Sequence, residues 1–385
     1  MVRRERGALA SVVFTVLFAQ VLLYPGAADV VASFGATDTE TASRWFLAAE
    51  FAAFVAFAGV WGVASDRAGR RVPFIVAGAL AGSVGYAALA LLDASFGVVL
   101  ALRVAQGAVT IGAFSLAMTM LMDLSDEHGK DMGAAGIAIG GGTALGAPVG
   151  GQLAELHPRA PLAAGAVVLA VAGVVSLRVT DRAPSGHGES LRDGFRALTD
   201  RPALGVPFAF GFIDRFTAGF FALVGTLYFR QVYGLSAGEV GLTLGLFFAP
   251  FALLQYPFGR LSDRIGRTIP IAAGSATYGI AVLGVGLAPA LWVAQGGMVV
   301  VGVLGALMAP ATMALVTDIA GEDERGVSMA GFNVAGSLGF LAGIVGGGWV
   351  AEQYDFTTAF VLAGGAEFLL AALALPALLR LDPRT

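Results

Sequence analysis

The chain has 385 residues, of which 57% are hydrophobic and only 13% are charged, and its mean hydropathy is +0.80. A soluble protein carries about 25% charged residues, so this composition excludes a soluble enzyme. The formal charge of −4 leaves no basic excess to neutralise phosphates, which argues against a nucleic-acid partner. Cysteine is absent, which excludes disulfides, thiolate metal sites and a cysteine nucleophile.

Apolar runs of about 20 residues, the length that crosses a bilayer as a helix, recur along the whole chain. Twelve such runs predict an all-α polytopic membrane protein. Arginines precede the first run as in a signal peptide, but this run is too long for one, and we expect it to be retained as a helix. The predicted runs are 9–33, 44–64, 72–92, 96–122, 132–153, 161–178, 204–229, 238–259, 269–288, 290–316, 328–350 and 358–379.

The basic residues predict the orientation of the spans. With a cytoplasmic N-terminus, eighteen of the 23 lie in cytoplasmic segments, and only Arg44, Arg159 and Arg230 lie outside. The other two, Arg103 and Arg215, fall inside spans. Because cytoplasmic loops retain Lys and Arg, we expect a multi-pass protein of the cell membrane with both termini in the cytoplasm.

The two halves of the chain repeat each other. The loop at 62–71 recurs at 259–267, displaced by 197 residues, and Asp123 is echoed by Asp318. Six spans separate the copies, so the halves are predicted to be parallel six-helix bundles, at 1–179 and 204–385, joined by a cytoplasmic linker at 180–203. The shared loop positions are Gly62, Asp66, Arg67, Gly69, Arg70 and Arg71 in the first copy and Gly259, Asp263, Arg264, Gly266 and Arg267 in the second.

The loop sequence Gly-x-x-x-Asp-Arg-x-Gly-Arg-Arg and the six-plus-six layout resemble the major facilitator superfamily over essentially the whole chain. The resemblance implies transport by alternating access. In that family this loop is regarded as a latch between states, and Asp123 is a plausible partner for its arginines. The alternative is that the loop only fixes the topology.

Two further segments are similar to family motifs. Leu100-x-x-Arg103-x-x-Gln106-Gly107 resembles the motif of the fourth helix. The fifth helix resembles the glycine-proline signature of the twelve-helix drug:proton antiporters, although its proline comes one place later than usual. This resemblance implies export, and the alternative is ordinary packing of small residues. The fifth-helix positions are Gly142, Gly146, Pro148, Gly150 and Gly151.

Ionisable residues inside the spans are costly and therefore candidates for function. Asp214 lies about 15 Å into the seventh span, near the middle of the bilayer, and is the leading candidate for proton coupling. Asp29, Glu50 and Arg103 are predicted to form one cluster nearer the outer face. The alternatives are a structural ion network for Asp214 and surface contact for the acids. The full set is Asp29, Glu50, Arg103, Asp214, Arg215 and Glu367. Glu367 is predicted to be a helix-contact or boundary residue, since the family resemblance implies that the twelfth helix is peripheral.

Few polar residues are available to line a cavity, whereas phenylalanine is abundant in the first, seventh, eighth and eleventh spans. Such a lining suits a hydrophobic or amphiphilic solute better than a sugar, whose hydroxyl groups need many partners. The alternative is that these aromatic side chains face lipid. The candidate lining residues are Gln20, Gln106, Gln255, Tyr256, Phe216 and Phe220.

The absence of a nucleotide-binding motif limits the possible energy sources for transport. The sequence has no phosphate-binding Gly-Lys-Ser/Thr loop, so we expect no nucleotide and no ATP hydrolysis. The prediction also includes no cofactor, no metal and no catalysis. The prediction is a monomeric transporter that uses alternating access for proton-coupled efflux of small hydrophobic or amphiphilic compounds. The alternatives are an uptake symporter or uniporter for a small metabolite and a non-transporting receptor or assembly protein.

Overall fold

A computed structural model describes residues 2–122, 124, 128–181, 201–320 and 325–381. Within these ranges all the regular secondary structure is helical, which confirms the predicted all-α class. The α-helices are α1 (Val2–Val21), α2 (Ala27–Ala32), α3 (Thr39–Ala68), α4 (Val72–Leu91), α5 (Phe96–Met122), α6 (His128–Leu156), α7 (Ala160–Ser176), α8 (Gly205–Phe220), α9 (Thr226–Val232), α10 (Ala237–Ile265), α11 (Thr268–Gly286), α12 (Leu291–Ile319), α13 (Arg325–Ala342), α14 (Gly348–Gln353) and α15 (Phe356–Leu381).

Nine helical segments in the described ranges are long and apolar enough to cross a membrane, and α7 is a shorter apolar helix. The chain is therefore a multi-pass membrane protein. Two further predicted spans correspond to α1 and α6, which are helical over 20 and 29 residues. The total of twelve spans stays a prediction.

Three predicted spans are interrupted. The first, predicted as one run at 9–33, is divided between α1 and α2 by a turn that contains Pro25. Proline has no N–H to donate and disfavours helical backbone in the residue before it, so the helix is interrupted here. The hydropathy is continuous across the turn, which is why the sequence predicted a single run. The seventh and eleventh spans contain π-helical turns at Phe221–Gly225 and Gly343–Gly347.

The chain divides into two compact units. The first comprises residues 1–188 and 229–245, and the second comprises residues 189–228 and 246–385. Most of the predicted linker lies at 182–200, outside the described residues. The predicted domain limits therefore stay a prediction.

In the first unit, α6 packs closely against α1 through glycine. A methyl group on Gly142 would lie 2.7 Å from the carbonyl oxygen of Phe14, and one on Gly150 would overlap the carbonyl oxygen of Leu22. Small residues let membrane helices meet backbone to backbone, where dispersion contacts are densest. The glycines of the fifth predicted span therefore contribute to this packing.

In the second unit, glycines likewise allow α8 to pack closely against α13 and the turn that follows it. Methyl groups on Gly339 and Gly343 would overlap the carbonyl oxygens of Phe212 and Phe216, respectively. On the other side of α8, Phe220 packs edge-to-face on Phe360 of α15, with 4.9 Å between ring centroids. These contacts fix α8, the helix that carries Asp214.

We predict that Gly343→Ala destabilises the protein, because the new methyl group overlaps the Phe216 carbonyl and overpacking costs about 1–3 kcal/mol. The apparent unfolding temperature in detergent measures the effect. Gly346→Ala is the matched control, since a methyl group there has nothing within 4 Å in the described structure. Equal unfolding temperatures for the two variants would contradict the packing argument.

Candidate functional site

A buried ion pair joins Glu50 of α3 to Arg103 of α5 in the first unit. Arg103 Nη2 donates to Glu50 Oε2 at 2.6 Å, and both side chains are at most 1% exposed. Gln106, one helical turn after Arg103, accepts from Arg103 Nη1 at 2.6 Å and donates to Glu50 Oε1 at 3.1 Å. The hydroxyl of Tyr86 on α4 also donates to Glu50 Oε1, at 3.3 Å. Three helices therefore share one polar network.

The network neutralises its charges internally. The Arg103 guanidinium also lies over the ring of Phe46, 4.8 Å from the centroid, and Gln106 donates to Thr110 at 2.9 Å. A buried charge is tolerated when it is both paired and hydrogen-bonded. The predicted proximity of Glu50 and Arg103 is thus present, and Gln106, predicted to line a cavity, bridges the pair instead. Any role of these residues in coupling stays a prediction.

Asp29 does not join this network. Its carboxylate accepts two hydrogen bonds from Arg230 of α9, at 2.5 and 3.0 Å. The two side chains are 33% and 24% exposed, so the pair is partly solvated. Sequence analysis placed Arg230 outside the membrane. It could not identify Asp29 as the partner, because the two residues lie 201 positions apart in the chain.

Other polar contacts accompany this pair in the first unit. Glu155 Oε1 accepts from the hydroxyl of Ser236 at 2.5 Å and from the N–H of Gly238 at 2.9 Å, and Gln231 donates to Glu40 at 2.9 Å. The Ser236 bond and then the Gly238 bond lower the pKa of Glu155. The charged form is therefore favoured at neutral pH, and the contact is lost only as the pH falls through the lowered pKa.

These residues, all on the predicted outer side of the membrane, are called the outer contact below. The outer contact consists of Asp29, Glu40, Glu155, Arg230, Gln231, Ser236 and Gly238.

The glycine-proline segment of α6 lies beside the outer contact. Whereas Gly142 and Gly150 face α1, a methyl group on Gly151 would overlap the carbonyl oxygen of Ala237 in α10. Pro148 lies about one turn before Gly151 on α6, and its Cγ atom would lie 2.9 Å from a methyl group on Gly245 of α10. The motif that resembles an antiporter signature thus packs against two helices at once, and Pro148 removes one backbone hydrogen bond from α6 there.

Asp214 and Arg215 occupy the middle of the helical segment Pro202–Val232. Asp214 is half-buried and Arg215 is exposed. In the part of the chain that the structure describes, no hydrogen bond to the Asp214 carboxylate is recorded. A methyl group on Gly336 of α13 would lie 3.1 Å from Cγ of Arg215, so α13 passes beside this arginine.

Glu367 lies at a contact between helices, which is one of the two positions that sequence analysis expected for it. Its side chain is 0% exposed. Ser275 of α11 donates to Oε1 at 2.6 Å, and the Thr217 hydroxyl of α8 lies 3.4 Å from Oε2. Hydropathy could not locate these partners, since single Ser and Thr residues hardly change an apolar run.

The candidate lining residues differ widely in accessibility. Phe220 is 0% exposed and Gln20 is 3% exposed, whereas Tyr256 is 73% exposed. Phe216 and Gln255 are half-buried. The buried Phe220 belongs to the packing of the second unit in this conformation, so the assignment of these six residues as a lining stays a prediction.

The second copy of the repeated loop forms an ion-pair cluster. Arg267 Nε donates to Asp318 at 3.0 Å, and Nη1 donates to Asp263 and to the Ser262 hydroxyl, both at 2.6 Å. Although burial opposes the charge, the hydrogen bonds to Asp263 and Asp318 raise the pKa of Arg267. Gly266, with φ of 90°, supplies the left-handed turn between α10 and α11.

The first copy is held differently. Arg71 lies 3.8 Å from Asp66, and Asp181 accepts from the backbone N–H groups of Arg71 and Val72 at 2.9 and 3.3 Å, capping α4. Gly69 ends α3 with φ of 62°. Asp123, the predicted partner of the arginines, lies outside the described residues. Its equivalent in the second copy, Asp318, does pair with an arginine.

A sequence model of the Major Facilitator Superfamily matches residues 9–229 and 208–385. The chain belongs to the Major Facilitator Superfamily. This is the family that the repeated loop resembles, and the all-helical structure described above is consistent with the fold of its members. No group of three His, Asp or Glu side chains able to hold a metal ion occurs among the described residues of this facilitator.

Curated relatives of this facilitator are transporters with different names. The chain is 32% identical over 135 residues to the inner membrane transport protein YajR of Escherichia coli K12, covering 35% of this chain and 29% of that protein. It is 35% identical over 115 residues to multidrug resistance protein 2 of Bacillus subtilis, covering 29% of each. It is 26% identical over 145 residues to a D-galactonate transporter of Escherichia coli O6:H1, covering 37% and 33%. The matched segments thus span about a third of these relatives.

The fold of this facilitator is similar to that of solved transporters. A bacterial homologue of the human lysosomal transporter Spinster, solved in an inward-facing and occupied conformation, has a TM-score of 0.78 and 15% identity. The alignment covers 98% of this chain and 96% of that chain. At this identity the likeness establishes the shared fold.

We predict that Glu50→Gln strongly destabilises this facilitator, because it leaves the Arg103 guanidinium buried without a counter-charge. Breaking a buried pair in this way costs about 3–5 kcal/mol. The unfolding temperature in detergent should fall well below that of the exposed control Glu352→Gln. The double variant Glu50→Gln/Arg103→Gln should recover part of the loss. An unchanged unfolding temperature for Glu50→Gln would refute the network's stabilising role.

Proposed function

We propose that this chain is a proton-coupled efflux transporter for small hydrophobic or amphiphilic compounds. The position of Asp214 carries the proposal. It is a half-buried acid at about 18 Å along a segment of 31 residues, and it has no recorded hydrogen-bond partner among the described residues. A carboxyl group inside a membrane span costs free energy, so its presence there is by default a sign of a functional role.

Proton coupling follows from the change of surroundings that alternating access imposes. A carboxyl group takes up a proton when one side of the membrane supplies water to it and releases the proton to the other side. A substrate that binds only the deprotonated site then moves in exchange for the proton.

The substrate class is proposed from the side chains around Asp214. Phe212 and Phe216 are half-buried on the same helix, and hydroxyl or amide groups are scarce in that stretch. Apolar contact with a few polar anchors suits amphiphilic compounds. The name of the Bacillus subtilis relative is consistent with this proposal, and that of the D-galactonate transporter keeps uptake as the competing outcome of the tests.

We further propose that the outer contact and the repeated loops alternate in strength during the cycle. The outer contact combines the partly exposed ion pair of Asp29 and Arg230 and further hydrogen bonds with glycine packing, so it can separate at modest cost. The ion pairs of Arg267 lie on the predicted cytoplasmic side. A conformational change that breaks one set while leaving the other intact is the latch that the family resemblance implies.

The first test of function measures proton movement in proteoliposomes that contain a pH-sensitive dye. Adding ethidium, a lipophilic cation, should make the lumen more alkaline, because the probe enters as protons leave. Asp214→Asn should abolish this signal, whereas the exposed variant Glu352→Gln should retain it. Acidification of the lumen would indicate symport and uptake. Ethidium entry without any proton signal, unchanged in Asp214→Asn, would remove the coupling proposal.

The second test uses the absence of cysteine, which makes the natural chain a ready background for cross-linking. Glu155→Cys combined with Ser236→Cys, joined by a short bifunctional thiol reagent, should block transport because the outer contact can no longer open. A reagent with a cleavable disulfide should allow a reductant to restore the activity. Each single variant treated with the reagent serves as control. Full transport by the cross-linked protein would contradict the opening of this contact.

A further inference from the structure

Glu367 is a buried acid for which no counter-charge is found among the described residues. It lies on α15 with 0% exposure. The polar groups at its carboxyl oxygens are two hydroxyls, Ser275 at 2.6 Å from Oε1 and Thr217 at 3.4 Å from Oε2. The described titratable groups that face it are Asp214 of α8 and Tyr278 of α11, and neither is a cation.

The packing around Glu367 is tight. A methyl group on Gly279 of α11 would overlap the carbonyl oxygen of Gly364 and would lie 3.2 Å from Cβ of Glu367. The backbones of α11 and α15 therefore meet directly beside this side chain. Such contact leaves the carboxyl group dependent on its protein neighbours for stabilisation.

Glu50 shows what an ionised acid requires at comparable burial. Its carboxylate meets the Arg103 guanidinium at 2.6 Å and also accepts bonds from Gln106 and Tyr86. An ionised carboxylate without such compensation is so costly that the group takes up a proton instead. Glu367, with hydroxyls alone, is therefore in its neutral acid form in this conformation.

The hydroxyl geometry indicates which oxygen carries the proton. Ser275 donates to Oε1, which is thus the carbonyl-type oxygen. Thr217 Oγ1 lies 3.2 Å from the carbonyl oxygen of Ile213, to which it donates its hydrogen. Its lone pair is then free to accept from a hydroxyl at Glu367 Oε2, 3.4 Å away.

Thr217 connects Glu367 to Asp214. It lies three residues after Asp214 on α8, and residues at this spacing are neighbours on a helix face. Since the Thr217 hydroxyl lies 3.4 Å from Glu367 Oε2, the part of α8 that carries Asp214 passes beside the Glu367 carboxyl group. Because two carboxylates in one apolar bundle repel, a proton on Glu367 lets Asp214 be ionised.

We propose that Glu367 is a second proton-binding carboxyl of the transporter, which exchanges its proton through Thr217 after Asp214 has released its own. This inference rests on the proposed proton coupling. In the transfer, the Glu367 Oε2–H bond breaks and Thr217 Oγ1 accepts that proton. The hydroxyl hydrogen of Thr217 turns away from the Ile213 carbonyl and passes to the Asp214 carboxylate, with which Thr217 makes no hydrogen bond in the described conformation. No electron is gained or lost. Two protons then move for each substrate.

The protonation state is tested without transport. Infrared spectra of the purified protein at neutral pH, in H2O and D2O, should show the carbonyl stretch of a buried protonated carboxyl. This absorption should persist in Asp214→Asn and disappear in Glu367→Gln. Since glutamine replaces a neutral acid of the same shape, Glu367→Gln should unfold close to the wild-type temperature, unlike Glu50→Gln. Retention of the whole absorption in Glu367→Gln would overturn the inference.

The stoichiometry is tested by accumulation of ethidium at equilibrium, with the membrane potential clamped at zero and a pH difference of one unit. Each coupled proton multiplies the equilibrium ratio of ethidium concentrations across the membrane by about ten. The wild type should therefore reach a ratio of about 100 and Glu367→Gln a ratio of about ten. Thr217→Val should also reach about tenfold while keeping the infrared absorption, which provides a second variant if Glu367→Gln misfolds. Equal accumulation in wild type and both variants would overturn the inference and leave the proposed function standing. No accumulation by the wild type would overturn the proposed function, and the infrared result would still decide the state of Glu367.

Discussion

The structure depends on the fact that hydrocarbon offers no partner to a charge or to a backbone amide. Helices satisfy the backbone within each segment, which is why the regular structure of the described residues is helical. The same constraint governs the few ionised side chains. Arg103 is wholly buried, and it is stable there because Glu50, Gln106, Tyr86 and the ring of Phe46 surround it.

The two units handle a buried acid in different ways. In the first unit, an arginine neutralises Glu50, and the resulting network ties α3, α4 and α5 together. In the second unit, Glu367 meets hydroxyl groups and lies near a second acid, Asp214. A neutralised pair favours rigidity, whereas a buried acid such as Glu367, which has no counter-charge among the described residues, is sensitive to protonation. The two units therefore differ in how their buried acids are compensated, and the proposed coupling role of the second unit rests on this difference.

Close packing and weak polar contacts coexist on the predicted outer side. Glycines of α6 bring its backbone against both α1 and the start of α10, while the pair of Asp29 and Arg230 is partly solvated. Contacts of this kind hold neighbouring helices together without a large energetic barrier to separation. That combination suits a protein that alternates between states, and it gives a physical reason for the small residues of the fifth span.

The sequence by itself determined the helical class, most span positions, the repeated loop and the family, because hydropathy, basic charge and short motifs are local properties. It also indicated Glu50, Arg103 and Asp214, since ionisable residues stand out in apolar runs. Only the tertiary structure decided their partners. Asp29 and Arg230 are far apart in the chain, and the neighbours of Glu367 come from two other helices. Which faces of the helices meet depends on packing among all of them, and no window of sequence contains that information.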